Sequence, residues 1–162
     1  MEIERKFLVR SVPKYMYRST ESKLIEQYYL NTSPEIRIRS INGSEFRFTY
    51  KSDTDNPVAR QEHEFIISKE DFSKLRNLVM RNPFSYGEIK VKKHRDQLNS
   101  ISTSSDVVLD EFMLKDDNGM LRVLEVEFAT TDDANDFVVP QWFLEEVTSN
   151  PDYRSINLAK RF

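Results

Sequence analysis

Glu2, Glu4 and Lys6 stand two residues apart at the start of the chain. In a strand, residues with that spacing share one face, and Ile3 and Phe7 take the other. Two carboxylates about 7 Å apart with an ammonium next in line can hold a divalent cation beside an anion. On its own this row reads more simply as a solvated strand face. Similar rows recur, however. Arg37 and Arg39 share a face opposite Ile36 and Ile38, and Arg47, Thr49 and Lys51 oppose Phe46, Phe48 and Tyr50. Arg60, Glu62 and Glu64 oppose His63 and Phe65. Lys93 and Arg95 share a face, and Asp110 opposes Leu109. Glu125 and Glu127 oppose Leu124, Val126 and Phe128.

The signs are largely segregated by strand: basic on the third and fourth, mainly acidic on the first, fifth and eighth. Like charges on one face repel, so stability gives no reason to group them. Carboxylates alone would bind a hard cation through oxygen. Arginine and lysine alone would bind a polyanion. Both lining one barrel would bind a metal–polyphosphate complex.

The elements that must carry these rows are strand-like runs at Glu2–Val9, Leu24–Leu30, Glu35–Ile41, Glu45–Lys51, Arg60–Ile67, Tyr86–Arg95, Val107–Leu114 and Leu121–Phe128. Asn42-Gly43 and Asp117-Asn118-Gly119 are hairpin turn signals between neighbouring runs. Ser68 caps an expected helix with Asp71 at the capping-box position, and Phe72, Leu75, Leu78 and Val79 form its apolar stripe. Asn82-Pro83 ends it. Further helices are expected after Thr131, from Pro140 through Val147, and over Ile156–Lys160; Asn99 through Ser105 is a short polar loop. Strands joined largely by tight turns predict a mainly β fold, an eight-stranded antiparallel barrel with a few peripheral helices. Phe46, Phe48 and Tyr50 are expected beneath a helix rather than as base-stacking platforms.

The chain's 162 residues suit one domain, 1–162, and 12% aromatic content supplies a core. Absence of cysteine excludes a disulfide frame and a thiolate metal site. His63 and His94 lie at no metal-ligand spacing, and with three glycines there is no Gly-rich phosphate loop. No run reaches the length of a membrane span and no signal-peptide pattern is present, so a cytoplasmic location without membrane contact is expected. Residues 1–81 hold 15 Lys/Arg and 12 Asp/Glu (+3), whereas residues 82–162 hold 9 and 15 (−6). That balance disfavours a nucleic-acid partner, which needs a basic excess.

Taken in order, these motifs resemble the CYTH superfamily, the triphosphate tunnel metalloenzymes, in the form of its small bacterial members. Glu2-x-Glu4-x-Lys6 resembles the family signature, Ile36-Arg37-Ile38-Arg39 its paired arginines and Phe48-Thr49-Tyr50-Lys51 its lysine strand. Glu62-His63-Glu64-Phe65, Lys93-His94-Arg95, Leu109-Asp110-Glu111-Phe112 and Glu125-Val126-Glu127-Phe128 are similar to its remaining tunnel strands. The resemblance implies a barrel tunnel that hydrolyses or rearranges triphosphates with Mg2+ or Mn2+. Lys6, Arg37, Arg39, Lys51 and Arg95, with Lys93, would grip phosphoryl oxygens; Lys6, Arg37, Arg39 and Arg95 would be the catalytic members. Glu2, Glu4, Asp110, Glu125 and Glu127 would hold metal, with Glu62 and Glu64 supporting. The tail departs from the family pattern: Tyr153-Arg154-Ser155 stands where the family often reads Tyr-x-Asn or Tyr-Asn, and neither it nor Lys160 is assigned a role.

The leading expectation is a metal-dependent triphosphatase acting on inorganic triphosphate, a small-molecule partner, with a homodimer allowed. Thiamine triphosphatase and adenylate cyclase are alternatives within the fold. A non-catalytic polyphosphate-binding module is the alternative from another class, and intact acidic rows favour the enzyme. An RNA-binding barrel is disfavoured by the acidic balance.

Overall fold

The alternation along each charged row produces the strands that carry it. A computed structural model of the protein describes residues 1–18, 21–81, 90–113 and 120–159. The strands are β1 (Glu2–Leu8), β2 (Lys23–Thr32), β3 (Glu35–Ile41), β4 (Glu45–Lys51), β5 (Ala59–Arg60), β6 (Glu62–Ile67), β7 (Lys90–Leu98), β8 (Asp106–Phe112), β9 (Leu121–Glu127) and β10 (Glu145–Glu146). Helix α1 (Lys69–Arg81) follows β6, α2 (Thr131–Asp136) follows β9, and α3 (Ser155–Ala159) comes last.

The sheet runs in the order β10-β1-β9-β8-β7-β2-β3-β4-β6, with antiparallel neighbours throughout. β5 crosses to pair with β1, placing Arg60 opposite Glu2, while β6, one residue further on, pairs with β4. The segment 59–67 therefore brings the two ends of the sheet together, as a barrel requires. The sheet counts ten strands rather than the expected eight. The fifth run divides at Gln61, where the chain passes from β1 to β4, and β10 is additional. At the β3–β4 hairpin, Asn42 and Gly43 both take positive φ (53° and 66°), the conformation a tight hairpin turn demands.

Charged rows on the inner wall leave the apolar faces pointing outward, so two hydrophobic cores lie outside the barrel. Ile3, Phe7, Val107, Leu109, Leu124, Val126 and Phe128 pack under α2 with Phe137 and Phe143. On the opposite wall α1 covers Tyr28, Ile38 and Phe46, and the Phe46 and Phe72 rings sit 4.9 Å apart. Ser68 Oγ accepts from the Asp71 amide at 3.0 Å, capping α1. Leu78 of the expected stripe is exposed instead.

A third cluster lies at one end of the interior. Ile156 and Leu158 of α3 pack on Tyr29, Phe112 and Val123, with Leu8 and Leu121 beside them. These five share strand parity with the charged rows, so an apolar plug fills that end.

The expected helix from Pro140 through Val147 does not form. Gln141 and Trp142 make a turn, after which Leu144 and Val147 donate backbone bonds to Leu8 and Lys6 at 2.9 and 2.8 Å. The open edge of β1 offers partners that outweigh local helix preference, and β10 results. The Asp117-Asn118-Gly119 turn, Asn82-Pro83, residues 86–89 of the sixth run, Leu114 and Lys160 lie outside the described residues. Among the described residues no helix is long and apolar enough to cross a membrane.

Candidate active site

The inner faces converge on a cavity of about 240 Å³ whose lining residues are all charged except Ser155. β1 contributes Glu2, Glu4 and Lys6; β3, Glu35, Arg37 and Arg39; β4, Arg47 and Lys51; β6, Glu62 and Glu64. Lys93 and Arg95 come from β7, and Glu125 and Glu127 from β9. Such a wall leaves only an ionic occupant well satisfied.

Most cations here are matched. Lys51 Nζ donates to Glu2 at 2.7 Å and lies 3.9 Å from Glu62. Lys6 Nζ stands between Glu4 (3.3 Å) and Glu125 (3.5 Å). Arg95 grips Asp110 through two bonds of 2.7 Å and reaches Glu125 at 3.0 Å. Burial disfavours charge on Glu125, but Lys6, Arg95, Lys93 and Lys51 outweigh it and hold its carboxyl well below the usual range.

Two arginines are not matched in this way. Arg39 is 7% exposed and, among the described residues, hydrogen-bonds only the neutral Gln27, at 2.7 Å through Nε and again through Nη2. Among the described residues no carboxylate forms an ion pair with it. Burial, then the charges of Arg37 and Arg95, pull its guanidinium down to about 9. Arg37 pairs with Glu35 at 3.3 Å, yet its Nε is buried and finds no acceptor among the described residues. Arg39 also faces Arg47 directly across β3–β4, but there Glu45 and Glu64 already hold Arg47. A buried cation without a counter-ion, beside a buried donor without an acceptor, is a site prepared for an oxyanion.

The carboxylates at the other side of the cavity show the converse. Burial raises the carboxyls of Glu2 and Glu4 despite Lys51 and Lys6 beside them. Glu127 is raised by burial and by Glu2, Asp106 and Glu4, and it pairs with no cation among the described residues. Their all-oxygen donor set fits a hard divalent cation. Among the described residues no three of them converge closely enough to hold a metal ion alone.

Asp110 is placed differently from the other acidic candidates. It is 0% exposed, it does not line the cavity, and both its oxygens are taken by Lys93 (2.7 Å) and Arg95. Its geometry is that of a buried counter-ion behind the wall. Lys93 is enclosed too: burial pulls its ammonium down to about 7 against the opposing pull of Asp110.

Residues without an assigned role in the sequence reading also belong to this site. Glu35 lies in the row of Arg37 and Arg39, so the same parity could have found it. It meets Arg37, Arg60 at 3.6 Å and Arg154 at 3.5 Å. Arg154 and Ser155 enter from the tail, and Gln27 and Tyr29 back the β3 arginines. No local signal marks these last four.

A second cavity of about 430 Å³ adjoins the first, sharing Glu4, Lys6, Arg60 and Arg154, and adds Asp53, Asp55, Pro57, Val147, Pro151 and Tyr153. It is a vestibule of mixed polarity.

The CYTH domain model matches residues 1–162. An inorganic triphosphatase of Nitrosomonas europaea is 34% identical over 161 residues, covering 98% of this chain and 96% of that protein. A crystal structure of an inorganic triphosphatase is 30% identical with a TM-score of 0.64, covering 100% of this chain and 96% of its own. A Hippeastrum protein studied as an adenylyl cyclase, with a dominant triphosphatase activity, shares the fold at 15% identity and a TM-score of 0.57, over 83% of each chain. Whole-length match, strand order and inward charge together lead to one conclusion: the chain belongs to the CYTH domain family.

Proposed function

We propose that this protein hydrolyses a triphosphate, with inorganic triphosphate as substrate and pyrophosphate and phosphate as products. The observation that carries the reading is the Arg37–Arg39 pair facing an almost wholly charged cavity, with Arg39 bonded to a neutral amide and Arg37 Nε lacking an acceptor among the described residues. The 34% identity to an inorganic triphosphatase over nearly both full lengths supports it.

Phosphoryl transfer to water asks a protein for positioning and charge neutralisation more than for a nucleophilic side chain. Arg37, Arg39, Lys51 and Arg95, with Lys6 and Lys93, would hold the phosphoryl oxygens in line from β1, β3, β4 and β7. Asp110 fixes Arg95 by two bonds, so that arginine's remaining donors keep one direction. Glu2, Glu4 and Glu127, with Glu62, Glu64 and Glu125, would hold Mg2+ or Mn2+, which when bound offsets the charge that builds on phosphoryl oxygens. The partial burial that raises Glu2 and Glu4 also lowers the local dielectric, strengthening each of these contacts.

The vestibule favours a second reading, an organic triphosphate such as thiamine triphosphate or ATP. Pro57, Val147, Pro151 and Tyr153 offer apolar surface beside the charged cavity. One experiment tests both: phosphate and pyrophosphate release from inorganic, thiamine and adenosine triphosphates, each with and without divalent metal. Metal-dependent release of phosphate, fastest from inorganic triphosphate, upholds the first reading. Tight triphosphate binding without turnover of any of the three would establish a binding module instead.

A further inference from the structure

β2 is the exception among the barrel strands, and the exception lies behind the two arginines that matter most. Its residues in line with the inward row of β3 are Ile25, Gln27 and Tyr29, all neutral and all buried. Gln27 stands directly across from Arg39, and Tyr29 across from Arg37. Gln27 Oε1 accepts from Arg39 Nε and Nη2, and its amide nitrogen donates to the Tyr29 hydroxyl at 3.3 Å. Neither residue lines the cavity.

The choice of an amide is unusual in its surroundings. Arg37, Arg47 and Arg95 each lean on a carboxylate, as do Lys6, Lys51 and Lys93. A carboxylate at position 27 would reach Arg39 with the same geometry and would satisfy a buried cation more fully. The amide orients the guanidinium equally well and leaves its charge uncancelled. Tyr29 completes the arrangement by occupying the amide's donor end, so the oxygen remains turned to Arg39.

We infer that Gln27, held in place by Tyr29, is a positioning residue whose neutrality reserves the full charge of Arg39 for a polyanionic ligand. The inference rests on the triphosphate reading above. It trades stability for affinity, so one isosteric change should move the two in opposite directions. A residue that merely packs the wall would move both the same way.

The test compares Gln27→Glu and Gln27→Met with the wild type. Two quantities are measured: unfolding in urea, and calorimetric affinity for inorganic triphosphate in chelator, where hydrolysis does not interfere. Gln27→Glu should raise the urea midpoint while weakening triphosphate at least roughly tenfold, because a charge is cancelled close to the ligand. Gln27→Met removes the acceptor without adding charge. It should lower the midpoint yet cost no more than about threefold in affinity, since the charge of Arg39 survives. Equal triphosphate affinity in wild type and Gln27→Glu overturns the inference. So does a Gln27→Met loss as large as that of Gln27→Glu, which would make hydrogen-bond geometry the cause. If Gln27→Glu does not fold, Gln27→Met decides alone, retained affinity upholding neutrality and lost affinity overturning it. A wild type that binds no triphosphate sinks the site reading itself, a result distinct from all of these.

Discussion

Lys51 on β4 donates to Glu2 on β1 at 2.7 Å, across the seam where the two ends of the sheet meet. The pair joins residues 49 positions apart and belongs both to the barrel's closure and to its cavity wall. Lys51→Met should therefore do two things. Leaving Glu2 buried without its partner should cost about 3 kcal/mol in urea unfolding, and triphosphate affinity should fall with it. A loss of affinity at unchanged stability would show that the seam does not depend on this pair.

Asp110 separates two roles for a buried carboxylate. As the counter-ion of Lys93 and Arg95, its replacement by Asn should cost roughly 3–5 kcal/mol of stability. Affinity of the substrate-free protein for Mn2+, followed by electron paramagnetic resonance, should stay at the wild-type value. If Asp110→Asn loses as much Mn2+ affinity as Glu4→Gln, Asp110 is a ligand after all.

Arg5 and Arg37 test the two faces of the wall. Arg5 points outward, bonded to Glu146 at 2.8 and 2.7 Å and to the Ala134 carbonyl at 2.9 Å. Arg5→Ala should cost about 1 kcal/mol of stability and leave kcat/KM near normal. Arg37→Ala should lower kcat/KM by a factor equivalent to roughly 2–5 kcal/mol. Similar kinetic losses at both positions would contradict the inward assignment of Arg37.

Glu35 provides a pH signature. Burial pushes its carboxyl up, but Arg37, Lys51, Arg60 and Arg154 outweigh burial and bring it down to about 2 from an ordinary 4.5. Folding thus favours the ionised form. Its contribution, roughly 3 kcal/mol by linkage, is full above the unfolded value and is lost as pH falls toward 2. The stability difference between wild type and Glu35→Gln should be flat at neutral pH and shrink steadily below about 4.5. A difference that persists unchanged to the lowest pH at which the protein folds would rule out this linkage. Glu2, Glu4 and Glu127 are raised and run the other way: their protonated forms favour folding, and that share is lost as pH rises through the folded values.

Glu4→Gln keeps shape and removes one negative charge from the proposed metal row. Turnover with Mg2+ or Mn2+ should fall by about two orders of magnitude or more, while triphosphate binding in chelator persists, because Arg37, Arg39 and Lys51 are untouched. Chelation should abolish wild-type activity, and either metal should restore it. Activity that survives thorough chelation would remove the carboxylates from the mechanism.

Strand parity was legible in the sequence because it is a local property. The backbone alternates every residue, so Glu2, Glu4 and Lys6 share a face whatever surrounds them. Segregated sign along those faces marked the rows that line the charged cavity, and parity also placed Ile3, Phe7 and Phe46 in outer cores. Local helix signals served α1, whose Ser68 cap lies within its own turn. They failed for Pro140 through Val147, because the open edge of β1 is far away in the chain. Register and closure are long-range quantities, and everything that depends on them was decided only by the tertiary structure. Asp110 became an enclosed counter-ion because β7 lies beside β8 with Arg95 opposite it. Glu35 gathered Arg60 and Arg154 because β5 and the tail arrive at the same end of β3. Gln27, an unremarkable amide in the sequence, came to hold the one buried arginine without a carboxylate among the described residues. That role exists only because β2 pairs with β3 in a register that sets 27 against 39.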